Sequence, residues 1–134
     1  MITVELARAL LAEGVLWEPR SGDRFVIDRA SLESDVFWVS DLTVELHHFG
    51  GQSVLGFNGT TEWALDSVDL DQALWLPRED QLRELLGDRL VRLEPREDGW
   101  SVAHRADDGT VGEVFDADAE CAYARALLEA LGGG

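Results

Sequence analysis

Two Asp-Gly pairs constrain this chain more than any other feature. Asp98-Gly99 and Asp108-Gly109 divide residues 89–115 into three short runs, 89–94, 99–105 and 111–115. Connections this short join antiparallel neighbours, so the spacing predicts a three-stranded meander. Asp116 or Asp118 then caps a helix running to about Leu131, and Gly132–Gly134 reads as a loose tail.

The remainder alternates between helix and strand patterns. Thr3 caps a helix over 3–13 with Leu6, Ala7, Leu10 and Leu11 on one side, and Gly14 stops it. Residues 17–23 read as an extended piece and turn, and Arg24–Asp28 as a strand, with a loop over 29–35. Val36–Val39 is continuously apolar, which predicts a strand covered on both faces. Leu42–Phe49 alternates, Gly50-Gly51 supplies a hairpin turn, and Val54–Phe57 returns. Thr60–Asp66 reads as a short helix or wide turn. After the apolar Ala73–Leu76, Pro77 is expected at the first position of a helix with Leu82, Leu85 and Leu86 inside and Gly87 at its end. The sum is one α+β domain over 1–131. It has two layers, a mainly antiparallel sheet of about six strands, and N-terminal, middle and C-terminal helices.

Composition closes several functional classes. Twenty-seven acids face eleven bases, a formal charge of −16, and every base is arginine. Without lysine there is no Schiff base and no P-loop amine. The negative charge opposes direct nucleic-acid binding and an anionic membrane surface. Cys121 is the one cysteine, so neither an internal disulfide nor a CxxC site exists. No run approaches a membrane helix, and a cytoplasmic location is expected. Residues 107–120 carry six acids and no base, a solvated surface or a docking face for a basic partner.

Few side chains suggest chemistry. His47 and His48 are strand neighbours pointing to opposite faces, so they cannot share a metal. His48 and His104 would meet if their strands packed together; the bland alternative is a hydrogen-bonded histidine at the core margin. No GxSxG elbow is present, no glycine pair opens a helix as a phosphate cradle must, and neither a cofactor nor a metal is expected. Arg78 sits beside its helix N-terminus, where a cation is disfavoured, so an acid partner among Asp66, Asp69 and Asp71 is expected, or an anion. Trp63 and Trp75 read as core or lid packing, or as a ligand surface. In the last helix Cys121, Ala124 and Leu128, joined by Leu131, form a second apolar stripe that would suit self-association or a protein partner.

The segment 57–86, with Trp75-Leu76-Pro77 leading into Asp80-Gln81-Leu82, resembles a stretch of small uncharacterised bacterial and phage proteins. The resemblance extends to Trp17-x-Pro19 with Gly22-Asp23 and to the closing Ala-Tyr-Ala helix. Some relatives carry a CpaE-type pilus-assembly label. The resemblance implies a family and no activity. The leading expectation is therefore a non-enzymatic cytoplasmic interaction or regulatory module using an acidic or aromatic surface. The alternatives are a small-ligand binder or enzyme with a pocket drawing on His48, His104 and Arg78, and an acidic nucleic-acid mimic.

Overall fold

The computed structural model describes residues 1–28, 35–39, 44–49, 52–57, 67–69 and 72–132, with the strands between 44 and 69 given by their backbone pairing. The class is α+β with antiparallel strands throughout, as the sequence pattern predicts. Packing groups the chain into two compact units, residues 1–16 with 77–134, and residues 17–76.

In the first unit, α1 (Val4–Ala12) starts where Thr3 Oγ1 accepts the Leu6 amide at 3.2 Å, and Leu6, Ala7 and Leu10 are buried. Gly14 leaves it at φ +93°, a conformation that costs glycine nothing. α2 (Glu79–Leu86) begins two residues later than expected. Arg78 is its N-cap, so Pro77 lies just outside the helix instead of at its first position. The Arg78 amide donates to Gln81 Oε1 at 2.9 Å, satisfying the chain at the cap. Leu82 and Leu86 are buried, whereas Leu85, expected inside, is exposed.

The meander follows as β7 (Leu90–Arg96), β8 (Gly99–Arg105) and β9 (Val111–Asp116), in that spatial order. Gly109 takes φ +88° at the second turn, as an Asp-Gly turn asks. The first turn is built differently. Gly99 has no positive φ and is the first residue of β8, paired with Arg96. A Cβ there would fall 2.5 Å from the Asp116 carbonyl oxygen and 2.6 Å from Ala117 Cα. Gly99 is therefore required by a close backbone approach and not by the turn.

α3 (Ala119–Ala130) is capped by Asp118, whose carboxylate accepts the Cys121 amide at 3.0 Å. It packs against α1, α2, β8 and β9. With neighbours on so many sides its burial runs around the helix: Cys121, Ala122, Tyr123, Ala124, Ala126, Leu127 and Leu128 are all inside. Arg89 ties down its far end, donating to the Ala130 carbonyl at 2.9 Å, where a cation also complements the helix dipole.

The second unit holds two sheets. In one, β1 (Arg24–Ile27) lies between β2 (Val36–Trp38) and β6 (Ala73–Trp75). Phe25, Ile27, Val39 and Ala73 form a core, and the Phe25 ring centroid is 5.4 Å from that of Trp17 and 5.6 Å from that of Phe37. Asp23 is buried and accepts Trp17 Nε1 at 2.8 Å and the Arg20 amide at 3.0 Å. The fully covered strand is β1, all four of whose residues are buried. β2 is an edge with Val36 and Phe37 half-buried and Trp38 55% exposed, which corrects the expectation for Val36–Val39. Being apolar did not place that run in the middle of a sheet.

The other sheet has the order β3 (Val44–Phe49), β4 (Gln52–Phe57), β5 (Ser67–Asp69). Phe49 opposite Gln52 gives the register expected for a hairpin here. Gly50-Gly51 and most of the proposed 29–35 loop, together with Thr60–Asp66, lie outside the described residues, as do the last two glycines of the tail.

Candidate functional site

The sheet β7-β8-β9 has an inner and an outer face, and contacts fix which residues belong to each. His104 Nε2 lies 2.5 Å from Glu129 Oε2 of α3, so the face carrying Trp100, Val102 and His104 is the inner one. Alternation along a strand then turns Ser101, Ala103 and Arg105 outward. Cross-strand register adds Arg92, Glu94 and Arg96 from β7 and Val111, Glu113 and Phe115 from β9.

The inner face is closed and structural. His104 is buried and its ring rests over Gly112, where an added Cβ would come within 3.0 Å of His104 Cε1 and Nε2. Its Nδ1 is buried without a hydrogen-bond partner. Arg125 Nε donates to Asp116 Oδ2 at 2.8 Å, linking α3 to β9.

The outer face holds a charge network. Arg96 bridges Glu94 at 3.1 Å and Glu113 at 2.8 Å, while Arg92 pairs with Glu94 and approaches Glu113 at 3.8 Å. Ser101, buried beneath this layer, donates its hydroxyl to Glu113 Oε1 at 2.6 Å. The Ser101 hydroxyl first, and then the Arg96 guanidinium, hold the Glu113 carboxyl below the usual glutamate range. Every one of these contacts falls on Oε1, and Oε2 keeps its own lone pairs. Glu113 is flanked on β9 by Val111 and Phe115, 49% and 50% exposed. A depression of about 540 Å3 opens beside them, bounded by Arg96, Glu97, Asp98, Ser101, Glu113, Val114 and Phe115. Chemically this arrangement offers apolar contact area and carboxylate oxygens, with the charges of Arg92 and Arg96 already answered by glutamates.

The residues singled out from the sequence are scattered. His48 is on β3, opposite Ser53, and His104 is on β8, so the two histidines belong to different sheets. Asp69 is on β5, paired with Val54; Trp63, Asp66 and Asp71 lie outside the described residues. Trp75 is on β6 opposite Phe25, its indole nitrogen buried without a partner. Arg78 binds Asp80, two residues on, with Nε 3.1 Å from Oδ1, and this guanidinium holds the Asp80 carboxyl below its ordinary value. Cys121, Ala124 and Leu128 are buried within their own unit, so that stripe is already covered by the chain, and Leu131 at its end is partly exposed. Burial, and then the Asp118 carboxylate, push the Cys121 thiol up to about 11, which leaves it protonated and unreactive at neutral pH despite its place in the first turn of a helix. Among the described residues no group of three or more His, Cys, Asp or Glu is arranged to hold a metal ion. No described helix is long and apolar enough to cross a membrane.

Sequence reasoning held Glu113 only as one of the six acids of 107–120, and passed over Val111 and Phe115. Pro95 was the usable signal. A proline inside a strand marks a sheet edge, and in a three-stranded meander the remaining edge must be the third strand. Comparison with protein families, curated proteins and solved structures finds no significant match to this chain.

Proposed function

We propose that this chain is a non-catalytic, cytoplasmic interaction module that holds a basic protein partner on the outer face of β7-β8-β9. The observation that carries the reading is the Val111-Glu113-Phe115 row, with half-exposed apolar groups on either side of a carboxylate whose Oε2 accepts no hydrogen bond among the described residues. Covering the exposed halves of Val111 and Phe115 is worth roughly 1 kcal/mol each, from ~1.5–3 kcal/mol for complete burial of such a side chain. The net charge of −16 supports a basic protein and opposes a phosphate backbone, and it steers encounter at low salt.

The test is a random peptide display library, panned in parallel against the wild type and the double variant Val111→Ser/Phe115→Ser, which removes the apolar groups and leaves the charge unchanged. Both positions are half-exposed, so the variant is expected to keep its melting temperature within a few degrees. Enriched peptides should be rich in arginine or lysine with apolar residues between. Their affinity for the variant should fall by about tenfold or more, the loss of up to about 2 kcal/mol of burial. Failure to enrich any sequence on the wild type, or equal retention by the variant, contradicts the reading.

A further inference from the structure

We infer that the partner adds a strand to the open edge of β9, as an extended basic segment in antiparallel register. This rests on the interaction reading above and specifies its geometry.

β9 is the last strand of its sheet, and among the described residues β8 is the one strand that pairs with it. The phase of that ladder is set at the turn, where the Ala106 amide donates to the Thr110 carbonyl at 2.8 Å. Bonded pairs then recur at every second residue, His104 with Gly112, Val102 with Val114 and Trp100 with Asp116. The N–H and C=O groups of Val111, Glu113 and Phe115 consequently point to the unpaired edge. These are the three residues whose side chains form the outer row, so an added strand meets backbone bonds and side-chain contacts together.

The two edges of the sheet differ in protection. β7 carries a register shift between Leu90 and Arg92 and a proline at position 95, both of which discourage further pairing. β9 has neither; its register with β8 runs unbroken over six residue pairs. An unguarded strand with exposed valine and phenylalanine is a template for another strand.

Charge decides what that strand is. β9 lies within residues 107–120, where six acids stand without a base. A second copy would bring another −16, and pairing centred on Glu113 would set two carboxylates opposite each other. A basic segment instead places a cation opposite Glu113 Oε2 and apolar residues opposite Val111 and Phe115.

The probe is a fluorescein-tagged palindromic peptide, Arg-Thr-Val-Thr-Arg-Thr-Val-Thr-Arg, followed by fluorescence anisotropy against the full chain. In antiparallel register the valine and central arginine amides face β9, and the threonine amides face away. Saturable binding is expected. N-methylation of both valines should weaken it about tenfold, whereas N-methylation of the two threonines beside the central arginine should change it by less than about threefold. Equal weakening by the two modifications overturns strand addition, as does indifference to valine methylation. No binding of the parent peptide to a protein that enriches basic library peptides also overturns it, and in that case docking on the outer face stands without strand addition. When the library test fails as well, both readings fall.

Discussion

Leu128→Glu is expected to unfold the protein or leave it insoluble. Leu128 is 7% exposed on a helix that packs against two other helices and two strands. The substitution removes a buried apolar side chain and sets a carboxylate in its place with no partner provided. Losing the leucine contacts alone costs ~2–5 kcal/mol, and the unpaired charge adds to it. Domains of this kind are stable by only about 5–15 kcal/mol, so little of the folded state should survive. Leu128→Met, which keeps volume and polarity, should cost less than about 1.5 kcal/mol. Urea unfolding followed by circular dichroism compares the two. A soluble Leu128→Glu protein with an unchanged midpoint would mean that this face of α3 is open to solvent, and the packing described for it would be wrong.

The second large effect is expected at Gly99. A methyl group on its Cα would overlap the Asp116 carbonyl oxygen and Ala117 Cα at about the distance of a covalent second neighbour, 2.5 and 2.6 Å. Both obstacles are backbone, at the end of β9 where the chain turns toward the Asp118 cap of α3. Neither can swing aside as a side-chain tip can. Gly99→Ala should therefore part β8 from β9 at this end and cost about 3 kcal/mol, the upper part of the range for overpacking. Gly109→Ala supplies the contrast: φ is +88° but nothing lies within 4 Å of the added carbon. Its cost is the left-handed backbone alone, about 1 kcal/mol. Equal midpoints for the two variants would show that the close approach is not there.

How much of this was legible depended on whether a residue's role was local. The caps Thr3 and Asp118, the stops at Gly14 and Gly87, and the Asp108-Gly109 turn obey short-range rules, and the elements they bound occur where the pattern put them. β5 went unread because Ser67-Val68-Asp69 offers a single apolar residue; its pairing with β4 is what makes it a strand. Gly99 looked like a turn glycine since the sequence cannot show that the end of β9 passes beside it. The second stripe of α3 looked like spare surface because a helix viewed alone does not reveal how many elements surround it. The outer row went unread because alternation over 111–115 does not tell which of its two faces is exposed. The base-free acids of 107–120 pointed to a basic partner, but a charge pattern does not show which strand face or edge would meet it.

Amide hydrogen exchange along β9, read residue by residue by NMR with and without saturating Arg-Thr-Val-Thr-Arg-Thr-Val-Thr-Arg, tests the central claim most directly. In the free protein Val111, Glu113 and Phe115 should exchange fast, while Gly112, Val114 and Asp116 are protected by their bonds to β8. With the peptide bound, the three fast amides should slow to match their neighbours. Protection of those three in the free protein, or unchanged exchange at saturation, would contradict an open edge that takes a partner strand.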